Sequence, residues 1–254
     1  MTEPVLDVRG LFAGYGETTV IRGVDLQVNA DETVVLIGPN GHGKTTLLRT
    51  LSGLIQPTAG EIRLDGARID RARAEQLGGL GLVHIPQGDH LFSDLTVEEN
   101  LLMGAFPRGA WRQRRESLAR AYELFPQLRE RRSQRARTLS GGERRQVALA
   151  RGLMREARLL LVDEPSLGLA PVLIEAVYAA IHRVAEAGTT ILPSRRTSTT
   201  SARSPTASAC SRWAGSSAPA RSTSSSRTGR SPSRTWECSS VGGRPSWARE
   251  LVTW

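Results

Sequence analysis

Hydrophobic and polar positions follow two periods along the first part of the chain. Val5 to Leu11 alternates and predicts a strand; Thr19 to Val28 predicts a second, closed by the turn-prone Asn29-Ala30-Asp31. Thr33-Val34-Val35-Leu36-Ile37 is a β-branched run of the kind buried on both faces, and it leads into a glycine-rich loop and a helix over Thr45 to Leu54. Gly60 to Asp65 and Gly81 to Pro86 read as further strands. Asp94 to Glu156 reads as mainly helical, opening at Thr96 with Glu98 and Glu99 behind it. Within it, Trp111 to Arg131 has apolar residues three and four apart and suits a separate helical lobe. Arg158 to Val162 is apolar after its first residue and predicts a strand. Pro171 to Ala187 sets Leu173, Val177, Ile181 and Val184 on one side of a helix; Gly188 ends it and Thr189 to Leu192 begins another strand. Strands alternating with helices imply a mostly parallel sheet covered by helices.

At Pro193 the pattern stops. The 62 residues from there hold 17 Ser, ten Arg, eight Thr and five Pro, with one Leu, two Val and no Ile or Phe. Such a segment buries too little apolar area to offset its ordering entropy, so it is expected to be a disordered tail. It also holds four of the five Trp, an odd feature for a linker.

Charge changes the picture less than its total suggests. The chain carries a net +9, but ten Arg against Glu237 and Glu250 put +8 of that in the tail. The first 192 residues are therefore near neutral and give no basic patch for nucleic acid. Cys210 and Cys238 are read as free thiols without a function. The start has no apolar run of a signal peptide, and no stretch of about 18 apolar residues exists, so a cytoplasmic protein is expected.

The chemistry begins at Gly38-Pro39-Asn40-Gly41-His42-Gly43-Lys44-Thr45, which fits G-x-x-x-x-G-K-[ST] between a predicted strand and a predicted helix. Glycines let the backbone turn its N–H groups toward a polyphosphate, and the helix adds its positive end. Lys44 suits the β- and γ-phosphates, Thr45 suits Mg²⁺, and Thr46 follows in the same turn. Lys44 is the only lysine in the chain. A chance glycine turn is the bland alternative. Further on, Leu159-Leu160-Leu161-Val162 ends in Asp163-Glu164, a strand delivering a Mg²⁺ ligand and a base to polarise the attacking water. Taken alone, that pair is equally a capped turn.

Leu139-Ser140-Gly141-Gly142-Glu143-Arg144-Arg145-Gln146 is equally a well-capped helix start, with Ser140 capping a helix from Gly141. The octapeptide closely resembles the ABC signature LSGGQxxR/Q, with Glu143 in place of the commonest Gln. With the two motifs above, residues 4 to 192 resemble the ABC ATPases. The resemblance implies an α/β fold, a P-loop NTPase of ABC type with a mainly parallel sheet core, an antiparallel β part and an inserted helical subdomain at roughly 94–156. It implies ATP and Mg²⁺ as cofactors, with Gly38 to Thr46 on the phosphates, Tyr15 stacking on adenine, Gln87 touching Mg²⁺ and coupling to a permease, and Ser166 to Leu169 crossing a dimer interface. It also implies that Ser140, Gly141 and Gly142 complete the site of a second ATPase subunit. Glu164, Lys44 and Gln87 are the expected catalytic residues; Thr45, Gln87 and Asp163 the expected metal set. The bland readings are a surface or core Tyr and a solvated loop Gln. His42, inside the loop, His84, His90 and His182 are read as non-catalytic, since none has metal-ligand spacing.

Two strings narrow the resemblance. Glu164 to Pro171, and Leu91 to Leu101, look like the branched-chain amino-acid importer ATPases. This implies permease subunits, a solute-binding protein, and a place at the cytoplasmic face of the membrane, with no nucleic acid partner. An ATPase acting on ribosomes or DNA is disfavoured, because neither a paired cassette nor a coiled-coil insertion is present.

The pattern fails after Leu192, where the family has a His switch or the string VEQN and then further strands and helices. A reading-frame shift explains this: Pro193 to Ala214, back-translated and read two bases later, admits VEENVHHLGAIADRVCVLEVG. The expected domains are thus 1–192, C-terminally incomplete, and a frameshifted 193–254. The rivals are a genuine basic tail for acidic lipid or RNA and, for the whole chain, a product that binds nucleotide without hydrolysing it.

Overall fold

The computed structural model describes residues 3–106, 108–196, 237–238 and 248–252. Two sheets carry the architecture. The first is antiparallel, in the order β2-β1-β4-β5, built from β1 (Leu6–Tyr15), β2 (Thr18–Val28), β4 (Ala59–Leu64) and β5 (Ala67–Arg68). The second has the order β6-β7-β8-β3-β10-β9, from β3 (Thr33–Gly38), β6 (Leu82–Ile85), β7 (Leu159–Val162), β8 (Thr190–Arg196), β9 (Glu237–Cys238) and β10 (Ala248–Val252). All its pairings are parallel except β10 with β9.

β7 shows why this sheet is central. Its four residues are all buried. The pleat sends Leu159 and Leu161 into one hydrophobic cluster, shared with β1, β2 and the helix α1 (Lys44–Leu51). Leu160 and Val162 face a second cluster under α3 (Val97–Gly104), α4 (Arg108–Arg112), α5 (Arg114–Leu124), α6 (Pro126–Glu130), α7 (Gly141–Gly152) and α8 (Pro171–Glu186). A strand covered on both faces reads as a continuous apolar run, as found in the sequence. Phe125 and Leu128 anchor the helical part of that second cluster. Thr96 caps α3, with its side chain on Glu99 N–H and Glu99 on its own N–H. The short α2 (Ala74–Gly79), with one buried residue, gave no periodic signal in the sequence.

The C-terminal boundary differs from the one composition suggests. β8 does not end at Leu192: it runs through Pro193 and Ser194 to Arg196, pairing Val162 with Pro193 on one side and Leu36, Ile37 and Gly38 with Ser194, Arg195 and Arg196 on the other. A strand between two others satisfies its backbone on both edges, and that outweighs a local break in hydropathy. Within the Ser/Arg-rich region, β10 pairs in register from Ala248 against Thr33 to Val252 against Ile37, so strands lie where none was expected. There it fills the second edge of β3, the strand that delivers the glycine-rich loop. The remainder of the proposed disordered and frameshifted tail, with Cys210, lies outside the described residues.

Candidate nucleotide site

The site forms at the C-terminal ends of β6, β7, β8 and β3, four consecutive strands of the parallel sheet, where open α/β sheets bind ligands. β3 ends at Gly38, and the loop 39–43 turns back into α1. Gly41 and Gly43 have φ of 78° and 84°, the left-handed region. At Gly43 a Cβ would also lie 2.9 Å from Ile21 Cδ1, a side-chain end that would have to shift. Gly43 is the N-cap of α1 and contributes no side-chain bond, which leaves that helix terminus to the loop. Asn40, Gly41 and His42 are exposed at the rim.

Lys44 is only 3% exposed. Its Nζ donates to Gly38 O at 2.8 Å and Pro39 O at 3.0 Å, and stands 3.5 Å from Glu164 Oε1. The ammonium therefore lies between the phosphate loop and the carboxylate that follows β7. An ammonium held by carbonyls at that point is placed to meet incoming phosphate oxygens. Thr45 is partly buried and Thr46 buried in the first turn of the same helix.

Asp163 is 1% exposed. Its N–H donates to Ile85 O at 2.9 Å, and its Oδ1 accepts from Ser194 Oγ at 2.7 Å. Glu164 has a φ of 40°, unusual for a residue with a side chain, and its N–H donates to that same Ser194 Oγ at 2.9 Å. Arg196 Nε lies 4.0 Å from Glu164 Oε2. The Glu164 carboxylate thus sits between Lys44 on one oxygen and Arg196 on the other. Gln87 is exposed two residues past β6, whose Ile85 pairs with Val162, so Gln87 and Asp163 emerge on adjacent strands.

Tyr15 closes β1 and is 47% exposed; its hydroxyl accepts from Arg49 Nη1 at 3.3 Å, beside the outer face of α1. Ser140 caps α7, accepting from Glu143 N–H at 3.4 Å while Glu143 Oε2 accepts from Ser140 N–H at 2.8 Å. Partial burial opposes charge on Glu143, but the Ser140 hydrogen bonds and Arg131 outweigh it and hold the carboxyl below its ordinary value. A Cβ at Gly142 would meet Leu173 Cδ2 at 2.8 Å, so the glycine lets α8 approach the start of α7.

The chain brings Gly38–Thr46 together with Asp163 and Glu164; Tyr15 lies beside α1 through Arg49, and Ser140–Gly142 open α7 beside Leu169 and Leu173. Sequence reasoning missed two participants. Ser194 and Arg196 fall beyond the break in composition. His84, set aside as non-catalytic, is mostly buried on β6 with Nδ1 3.0 Å from Ser52 Oγ and Nε2 without a partner. Burial pushes its pKa down to about 4, against the pull of the Asp163 charge and with a smaller push from Arg49. The spacing of β6 against β7 could have flagged it; nothing local in the sequence does.

The sequence profile described as ABC transporter matches residues 21–167, more than half of the chain. The chain belongs to the ABC transporter ATP-binding family. Among relatives of this cassette, the high-affinity branched-chain amino acid transport ATP-binding protein BraG of Pseudomonas aeruginosa is 41% identical over 177 residues, covering 70% of this chain and 76% of that protein. The probable branched-chain amino acid transport ATP-binding protein LivF of Archaeoglobus fulgidus is 36% identical over 174 residues, covering 68% and 73%. A crystal structure of an ABC transporter's ATP-binding cassette in its ADP conformation superposes with a TM-score of 0.68 at 26% identity, covering 78% of this chain and 83% of that one. The cassette is an ATPase fold with the P-loop NTPase core expected from the sequence, and it binds ATP as its family does. Among the described residues no helix is long and apolar enough to cross a membrane.

Proposed function

We propose that this chain is the ATP-hydrolysing subunit of an importer for branched-chain or related amino acids. The observation that carries the catalytic part is the placement of Lys44 Nζ 3.5 Å from Glu164 Oε1 at the mouth of the phosphate loop. The γ-phosphate would enter between them. Loop N–H groups and Lys44 bind the β- and γ-phosphates, Glu164 orients and deprotonates the attacking water, and Tyr15 stacks on the adenine. Thr45 offers a hydroxyl, Asp163 a carboxylate and Gln87 an amide oxygen, a hard-oxygen set that suits Mg²⁺ shared with phosphates. Bound Mg²⁺ supplies charge neutralisation on the phosphates.

Ser140, Gly141 and Gly142 lie at the start of α7, away from this loop, and serve the nucleotide held by a second ATPase subunit; two subunits enclose two ATPs. Permease subunits anchor the pair at the cytoplasmic face of the membrane, with a solute-binding protein upstream. The solute class rests on the names of the relatives and on the strings Leu91–Leu101 and Glu164–Pro171.

A second reading is a nucleotide-binding but hydrolysis-deficient chain. It is favoured by the end of β8, where Ser194-Arg195-Arg196 stands in place of VEQN, and by the composition after it, which fits a shifted reading frame following codon 192. Mg²⁺-dependent ATP turnover by the full chain, with Glu164→Gln as the zero, separates the two. Intact, unshifted DNA across codon 192 in independent isolates would remove the frameshift.

A further inference from the structure

Arg145 lies in the second turn of α7, five residues after Ser140, and is only 3% exposed. Its Nη1 donates to Pro86 O at 3.1 Å and to Gly88 O. Its Nη2 donates to Asp163 O at 2.9 Å, and its Nε to Pro165 O at 3.2 Å. Pro86 and Gly88 flank Gln87; Asp163 and Pro165 flank Glu164. One planar cation therefore grips the main chain on both sides of each of two site residues, which come from different strands.

The arrangement is costly and specific. Burial lowers the Arg145 pKa below its ordinary value, against the charges of Asp89, Asp163 and Tyr178. Among the described residues its hydrogen bonds go to carbonyls, and none goes to a carboxylate. A buried guanidinium that hydrogen-bonds no carboxylate is retained only where its donors are matched, and a five-donor fork matches several carbonyls in a plane as no ammonium does. Losing it would strand four main-chain acceptors at once. The carbonyls also bind the loop after β6 and the turn after β7 to α7. Arg144 and Arg151 add outer contacts, to Asp89 Oδ2 at 2.9 Å and His90 O at 2.8 Å, but only Arg145 reaches the turn after β7.

We infer that Arg145 is a positioning residue that fixes Gln87 and Glu164 relative to each other and to the helix whose N-terminus carries Ser140–Gly142. Movement of α7 then shifts both residues together, linking the end of the subunit that serves a partner's nucleotide to the hydrolytic groups of its own. The catalytic part rests on the roles proposed above for Gln87 and Glu164; the mechanical part does not.

The test uses the full chain with Arg145→Gln and Arg145→Lys. Hydrogen exchange is followed in peptides covering residues 84–90 and 161–168, beside steady-state kcat and KM for ATP and the Kd of a fluorescent ATP analogue. Arg145→Gln should release protection in both segments together, because local opening follows the loss of shared bonds. Its kcat should fall about 10- to 100-fold with KM and analogue Kd within about threefold, since small misplacements are paid in kcat. Arg145→Lys, keeping the charge without the fork, should recover part of the kcat. The proposal is overturned if Arg145→Gln leaves exchange unchanged in either segment, or if kcat stays within threefold of the parent. If Arg145→Gln yields no folded protein, both criteria are read on Arg145→Lys. If the parent chain binds the analogue without turning ATP over, the hydrolytic reading has failed, and the exchange measurement alone decides the role of Arg145.

Discussion

The Ser194 hydroxyl donates a 2.7 Å hydrogen bond to Asp163 Oδ1. The same oxygen accepts from Glu164 N–H, so one hydroxyl ties the end of β8 to both acidic residues at the end of β7. Ser194→Ala removes an acceptor and a donor in a site where Asp163 is almost fully buried. The expected loss is about 1–3 kcal/mol, which lowers Tm by several degrees. Hydrolysis should fall about tenfold, with a higher Mg²⁺ requirement, because the Asp163 carboxylate is no longer oriented. Thermal melting and a Mg²⁺ titration of activity check both.

The roles proposed for Lys44 and Glu164 separate binding from turnover. Lys44→Met removes the cation that the loop carbonyls hold at 2.8 and 3.0 Å, and nucleotide affinity should drop tenfold or more. Glu164→Gln keeps shape and loses the base, so analogue binding stays within about threefold while kcat falls about 100-fold or more. Equilibrium binding and phosphate release measure the two effects. Parallel loss of binding in Glu164→Gln would count against its assignment.

Gly43→Ala tests the loop geometry. The added Cβ meets Ile21 Cδ1 at 2.9 Å and Val20 Cγ1 at 3.1 Å, at a φ of 84°. Strain at such a position costs about 1–3 kcal/mol, and relief requires the loop to move. Reduced stability with weakened ATP binding is expected, read from urea melts and analogue titration. Gly41→Ala, with open space around its Cβ, should destabilise less.

His84 makes stability fall in mild acid. Folding depresses its pKa from 6.5 to about 4, mainly by burial. The unfolded chain takes up the proton first, so this contribution is fully present above 6.5 and is lost as pH falls toward 4. The slope implies a loss of about 2 kcal/mol between pH 7 and pH 5. Urea melts at both pH values should show a smaller difference for His84→Gln than for the parent chain.

Much of this chain was legible because its signals are local. The strand that ends at Gly38, the loop to Thr45 and the cap at Ser140 are each specified by consecutive residues whose backbone requirements are written in Gly, Ser and β-branched positions. The apolar run Leu159–Val162 announced a strand buried on both faces, and the structure covers both. Four facts depended on the tertiary structure. Lys44 and Glu164 are far apart in sequence and meet only because β3 and β7 are separated by a single strand, β8. Ser194 and Arg196 entered the site although composition put a boundary at Pro193, since pairing with β3 and β7 on both edges decides where β8 ends. His84 became a mostly buried ring with a lowered pKa because β6 packs beside β7. In the sequence Arg145 is one residue of the octapeptide Leu139–Gln146, with no role of its own. Only the convergence of four carbonyls from two strand ends, which no local period encodes, made it the point where those ends are held.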